Sequence, residues 1–209
     1  RSHTNSTFFI NSIANTLWSL GLGLMSVSPT QFWANFWIEV HYVGASLIPP
    51  TFALFIYTFL SITRDKRYFL VCWWGIGLAF FFLTIAQPSL FIVASPGKFL
   101  FNYYTHGGIL YPVYAIAFFL CIGDAIISLI KALKSSTGIL KKHVQYILMA
   151  TLVGFGGGST AFLPVLDIPV YPAGMCVVFL YPVIMTYAIV RHHLLDIEVI
   201  IKRTLVFAG

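Results

Sequence analysis

The sequence predicts an all-α protein, a bundle of six helices that cross a membrane. Three observations predict it. The 209-residue chain is 59% hydrophobic and only 9% charged, whereas soluble domains carry about 25% charged residues. Six apolar stretches reach the roughly 20 residues that a helix needs to cross a bilayer. The basic residues gather in links on one side of those stretches, as in multi-pass membrane proteins.

The first span is read at about 8–28. It follows a polar start, Arg-Ser-His-Thr-Asn-Ser-Thr, with no initiator Met and no leader of signal-peptide form. The natural N-terminus is therefore expected upstream. The second span, about 33–62, carries Pro49 and Pro50, which remove two backbone donors and predict a kink. The third covers about 67–87 and ends at Gln87-Pro88. Residues 88–108, with Pro88, Pro96, Gly97, Gly107 and Gly108 among aromatics, are expected to lie partly along the membrane surface. The fourth span, about 109–132, opens on Tyr111-Pro112, a tolerated place for proline. The fifth covers about 143–163 and the sixth about 171–190, with Pro182 read as mid-helix and kinking. Residues 1–190 thus form the bundle, and 191–209 a cytoplasmic juxtamembrane exit.

The charges test this order. With the first span starting inside, Arg1, Arg64, Lys66, Arg67, Lys131, Lys134, Lys141, Lys142, Arg191, Lys202 and Arg203 fall inside, and Lys98 alone falls outside. A missed or invented helix would scatter them over both faces. The asymmetry places the C-terminus in the cytoplasm. It also accounts for the net charge of +6 without nucleic acid. Cys72, Cys121 and Cys176 lie inside apolar segments, make no metal spacing, and read as small buried apolar residues.

Ionisable and polar residues within spans are the functional candidates. Asn35, Glu39, Tyr42 and Ser46 share one helix face at i, i+4, i+7 and i+11. That stripe either lines an outward-opening polar cavity or leaves Glu39 hydrated near the interface. Asp124 is either a relay or packing anchor, or an inner-end carboxylate satisfied by a neighbour or by water. Gly154 and Gly158 form a G-x-x-x-G pattern that permits close helix approach or loosens a hinge. His143, His192 and His193 have no ligand spacing for metal or haem, and the sixth span holds no lysine for a retinal Schiff base. No nucleophile–base pair, nucleotide loop or paired carboxylate is present. No cofactor and no enzymatic activity are expected of this chain.

Residues 187–197, Tyr-Ala-Ile-Val-Arg-His-His-Leu-Leu-Asp-Ile, with the basic stretch that follows, resemble the exit of the N-terminal seven-transmembrane region of bacterial membrane histidine kinases. The stretches 15–21 and 42–55 resemble that family's second and third helices. The resemblance implies an intact bundle of seven helices, the first lying before Arg1. It also implies a signal-input domain in the bacterial inner membrane, coupled to a fused or partner cytoplasmic kinase. Tyr187, Arg191, Leu194, Leu195 and Asp196 would form the signal exit. Membrane lipids and a second copy or neighbouring subunits are the expected partners. Two other readings stay open: a non-catalytic accessory subunit of a larger membrane complex, and a small transporter or channel.

Overall fold

The computed structural model describes residues 2–192, 194 and 195. Its elements in chain order are α1 (Ser2–Ser26), α2 (Gln31–Phe59), α3 (Arg67–Ala86), α4 (Pro88–Phe91), β1 (Ile92–Lys98), β2 (Phe101–Gly107), α5 (Tyr111–Ser135), α6 (Gly138–Ser159), α7 (Phe162–Val165), a 3-10 turn (Ala173–Val177) and α8 (Leu180–His192). Six stretches are helical, long and apolar enough to cross a membrane: His3–Ser26, Gln31–Phe59, Arg67–Ala86, Tyr111–Ser135, Gly138–Val165 and Ala173–His192.

α2 is the central helix and packs against α1, α3 and α5, while α6 packs against α5 and α8. Its enclosed middle includes Phe52, Ala53, Phe55, Ile56 and Tyr57. By contrast α3 buries only Gly77, Phe80 and Thr84, and turns Phe69, Val71, Leu78, Phe82 and Ile85 outward. Such apolar exterior is stable in hydrocarbon, where lipid tails replace a protein core.

The described basic residues divide by end. Arg64, Lys66 and Arg67 follow α2, Lys131 and Lys134 end α5, Lys141 and Lys142 start α6, and Arg191 ends α8. Lys98 stands at the other end, on β1. These are the basic end and the hairpin end below.

The segment expected to lie partly along the membrane surface, 88–108, holds a hairpin. β1 and β2 pair antiparallel, from Ile92 opposite Gly107 to Lys98 opposite Phe101. Positive φ angles at Gly97 (64°) and Phe99 (57°) carry the chain through the reversal. Pro96 is tolerated because each strand of a two-stranded ribbon is an edge. The ribbon satisfies backbone groups that a loose apolar loop would leave unpaired.

α2 runs unbroken through Pro49 and Pro50. Pro49 cannot donate to the Ala45 carbonyl, and the Tyr114 hydroxyl of α5 donates to it instead at 2.9 Å. Pro50 likewise frees the Ser46 carbonyl, and α3 approaches there: a Cβ on Gly77 would stand 2.9 Å from that oxygen and 2.8 Å from Pro50 Cγ. Pro182 corrects the expectation of a mid-helix kink. α8 begins at Leu180, so this proline occupies its first turn, where no intrahelical donor is required. Among the cysteines, Cys121 is buried, but Cys72 and Cys176 face outward.

Candidate functional site

A cavity of about 810 Å³ opens between α1 and α8 and reaches inward to α2, α5 and α6. α1 contributes a stripe of small polar residues, Ser12, Asn15, Thr16 and Ser19, with Gly23 and Ser26 continuing it. Helical spacing puts these on one face. α2 contributes His41, Tyr42, Ala45 and Ile48, and α5 adds Tyr111, Tyr114 and Phe118. Gly154, Phe155 and Gly158 of α6, with Tyr181, Pro182 and Met185 of α8, close the far side. Among the described residues, none that lines it is Asp, Glu, Lys or Arg.

The cavity opens sideways. Thr16, Ser19 and Gly23 on α1 and Phe179, Pro182 and Thr186 on the α8 side line it and are also exposed. Deeper in, buried Asn11 bridges the two walls. Its amide donates to the Tyr181 hydroxyl at 3.4 Å, and its carbonyl accepts from Thr51 at 3.2 Å. His41, 5% exposed, meets the Trp18 carbonyl through Nδ1 at 2.7 Å. A carbonyl can only accept, so Nδ1 carries the proton and Nε2 is left as an acceptor.

The hairpin caps this cavity. Phe101, Tyr104 and Thr105 of β2 line it, and the Tyr104 hydroxyl donates to the Ala161 carbonyl at 3.2 Å. Burial pushes that phenol's pKa well above its ordinary value, so it stays a donor. Lys98 Nζ donates to Asp167 at 2.8 Å and to the Pro164 carbonyl at 2.7 Å, while His106 Nδ1 lies 3.3 Å from Asp167. The Lys98 hydrogen bond, reinforced by the charges of Lys98 and His106, holds the Asp167 carboxyl below the usual carboxylate range. Phe101 stacks on Tyr171 at 6.1 Å, adding an aromatic clasp.

At the basic end Asp124 joins three elements. It accepts from the Tyr57 hydroxyl of α2 and pairs with Lys66 Nζ, before α3, at 2.6 Å. Lys66 also lies over the Phe69 ring at 4.7 Å. A second knot ties α6 to α8. His143 Nε2 meets the His192 carbonyl at 2.7 Å, His192 Nε2 meets the Tyr146 hydroxyl at 3.1 Å, and the Tyr146 and His192 rings stack at 4.8 Å. Tyr187 packs on both rings.

Of the stripe Asn35, Glu39, Tyr42 and Ser46, only Tyr42 lines the cavity. Asn35 is exposed and accepts from Gln31 at 3.0 Å, Glu39 is partly exposed, and Ser46 is buried and bonds back to the Tyr42 carbonyl. The cavity face of α2 is rotated by about one residue from the stripe, because its other sides are taken by α3 and the hairpin. Gly154 and Gly158 both line the cavity, but the close approach uses Gly154 and Gly157. A Cβ would meet Tyr181 at 3.0 Å from Gly154 and the Gly174 carbonyl at 2.5 Å from Gly157; from Gly158 only Val178 lies within reach, at 4.0 Å. Pro49 and Pro50 stand apart from the cavity, between α2 and α3. At the exit, Arg191 closes α8, and Leu194 and Leu195 are buried, with the Leu194 amide donating to the Ala188 carbonyl at 3.3 Å. Asp196 lies outside the described residues.

Sequence reading missed Asn11 and the α1 polar stripe as a group. The stripe's spacing was available; the partner wall that makes it a cavity was not.

A family model described as the N-terminal 7TM region of histidine kinase matches residues 1–198. No curated protein and no solved structure matches the chain.

Proposed function

Because the chain belongs to the family of N-terminal 7TM regions of histidine kinases, we propose that it is a sensory input domain that passes a conformational signal to a cytoplasmic kinase. The observation that carries this reading is the family match over nearly the whole chain. Catalysis belongs to the kinase and not to these residues. In this reading the bundle sits in the bacterial inner membrane with its basic end in the cytoplasm, and the positive-inside pattern supports that orientation. It works as a homodimer among membrane lipids.

Two features support a route for the signal. The cavity is bounded by α8, the last described helix, so its occupancy bears directly on where that helix stands. At the other end of α8 the His143–Tyr146–His192 knot holds it against α6. A ligand that favours one placement of α8 shifts the population of the exit residues Tyr187, Arg191, Leu194, Leu195 and Asp196. The polar stripe of α2 acts through Tyr42. Asp124 acts as a fixed anchor, and Pro49 and Pro50 keep the central packing of α2 rigid while α8 moves against Gly154.

The test is autophosphorylation of the full-length protein in nanodiscs. Tyr146→Phe removes the hydroxyl from the knot and leaves the ring. It is expected to change the basal phosphorylation rate several-fold with little change in thermal stability. A full-length protein without an output domain, or a rate that no change at Tyr146, His143 or Tyr187 moves, would sink this reading.

A further inference from the structure

The turn between α5 and α6 gathers four lysines. Lys131 and Lys134 lie near the end of α5, and Lys141 and Lys142 lie near the start of α6, with only Ser136 and Thr137 between the helices. All four are exposed. Among the described residues no ion pair joins any of them. The carboxylates are placed elsewhere: Asp124 is held by Lys66, Asp167 by Lys98, Asp65 adjoins Arg64 in the chain, and Glu39 lies toward the hairpin end of α2. The first turn of α6 holds no acidic residue, so the positive end of its helix dipole adds to the lysines' charge.

Each lysine pair continues a face that the bundle turns outward. On α5, Ile116, Leu120, Gly123 and Ile127 run into Lys131 and Lys134 at helical spacing. On α6, Lys142 leads into Gln145, Met149, Leu152 and Gly156, all exposed, with Lys141 at the edge of that face. A Cβ on Gly123 or Gly156 would meet nothing within 4 Å, which leaves room for a chain to lie close against either helix. None of these residues lines the cavity, so the two faces do not depend on what closes the gap between α1 and α8.

Outward apolar faces of a spanning helix meet acyl chains. A lysine that ends such a face keeps its methylenes against hydrocarbon and carries its ammonium to the level of the headgroups. A phosphate there can accept from several ammonium groups at once. A zwitterionic headgroup brings its own cation into the same cluster and gains less.

We propose that the α5–α6 turn binds an anionic glycerophospholipid of the leaflet at the basic end. Its phosphate is held by Lys131, Lys134, Lys141 and Lys142, and its acyl chains lie along the outward faces of α5 and α6. Chain and headgroup are recognised together, which selects a lipid over a soluble phosphate. Lys142 adjoins His143, whose Nε2 meets the His192 carbonyl of α8 at 2.7 Å. A bound headgroup therefore bears on the knot between α6 and α8. That consequence rests on the sensory reading; the binding does not.

The experiment titrates full-length protein in neutral detergent micelles with phosphatidylglycerol or phosphatidylcholine of the same acyl chains. Bound lipid is counted by native mass spectrometry. Phosphatidylglycerol is expected to bind about tenfold more tightly than phosphatidylcholine. Lys131→Gln with Lys134→Gln, or Lys141→Gln with Lys142→Gln, is expected to cut that preference to about threefold, and the quadruple variant to erase it. If the quadruple variant fails to insert, the two double variants carry the test. Arg64→Gln with Arg67→Gln removes two charges elsewhere at the basic end and is expected to leave the preference unchanged. Equal binding of the two lipids would overturn the proposal. An equal loss in the arginine variant would overturn it too, since diffuse charge would then suffice. Inorganic phosphate that displaces the lipid beyond the effect of chloride at equal ionic strength would do the same, because the apolar faces would then play no part. Autophosphorylation in phosphatidylcholine nanodiscs with and without phosphatidylglycerol separates the two claims. A lysine-dependent lipid preference with unaltered phosphorylation upholds the site and counts against the sensory reading. Phosphorylation that answers another cue, without a lipid preference, does the reverse.

Discussion

At Ala45 a backbone carbonyl loses its helical donor, because Pro49 has no N–H, and the Tyr114 hydroxyl takes that place. Within a bilayer no water is at hand to do so. Tyr114→Phe keeps the ring and removes the donor, so it should cost about 1 kcal/mol in thermal or denaturant unfolding in detergent. The same logic applies more strongly at Asp124, which holds both Lys66 and Tyr57. Asp124→Leu leaves an ammonium and a phenol without their partner and should cost about 2 kcal/mol. Lys66→Met should cost about half as much, since Tyr57 still satisfies the carboxylate and that end is partly hydrated. Equal losses for the two variants would show that the ion pair, not the three-element junction, carries the stability. Both sites were half legible. Asp124 and Pro49 stood out as an ionisable group and a missing donor within apolar segments. Their partners lie 58 to 69 residues away, and nothing local in the chain names them.

At the scale of elements, the contact of α6 with the 3-10 turn and α8 is set by small residues. Gly157 abuts the Gly174 carbonyl, whereas Gly156 faces open space. Gly157→Ala should therefore destabilise by about 1–3 kcal/mol through backbone displacement. Gly156→Ala should be neutral or stabilising by up to about 1 kcal/mol, the helix-propensity gain. Thermal unfolding of the two variants side by side checks this, and similar values would refute the packing. The glycine cluster was conspicuous in sequence, yet which glycine makes the contact depends on the rotation of α6, which the apolar run around the cluster does not reveal.

The hairpin clamp is an element-scale device with a pH signature. The Lys98 hydrogen bond lowers the Asp167 carboxyl pKa in the folded state. A depressed carboxyl contributes stability above its unfolded value, near about 3.9. That contribution disappears as pH falls through the lowered folded value. Labels at exposed Leu100 and Val170 should keep one distance from pH 8 to pH 5 and separate only in stronger acid. Separation already near pH 6 would contradict the assignment to Asp167. The hairpin itself was hidden in sequence, because Pro96 and the glycines read as irregular and the strands lack a clean alternation.

For the whole molecule the testable quantity is orientation. With the native cysteines replaced, a membrane-impermeant thiol reagent should label Leu100→Cys in intact cells, and Lys134→Cys only after the membrane is opened. The reverse pattern would invert the bundle and exclude a cytoplasmic kinase at the C-terminal end.

By itself the sequence determined the membrane class, the six apolar spans, the gathering of the basic residues at one end and the family resemblance that the match over residues 1–198 bears out. These are properties of each residue against a uniform surrounding, hydrocarbon or water, and need no knowledge of neighbours. Only the tertiary structure decided that α2 is central, that residues 92–107 form a hairpin, and that an uncharged cavity opens between α1 and α8. In hydrocarbon, lipid and protein are nearly equivalent neighbours for an apolar side chain. Hydrophobicity therefore says that a helix spans without saying which face meets another helix. That choice is made by close packing and by paired polar groups far apart in the chain, which is why the cavity had to be seen in the fold.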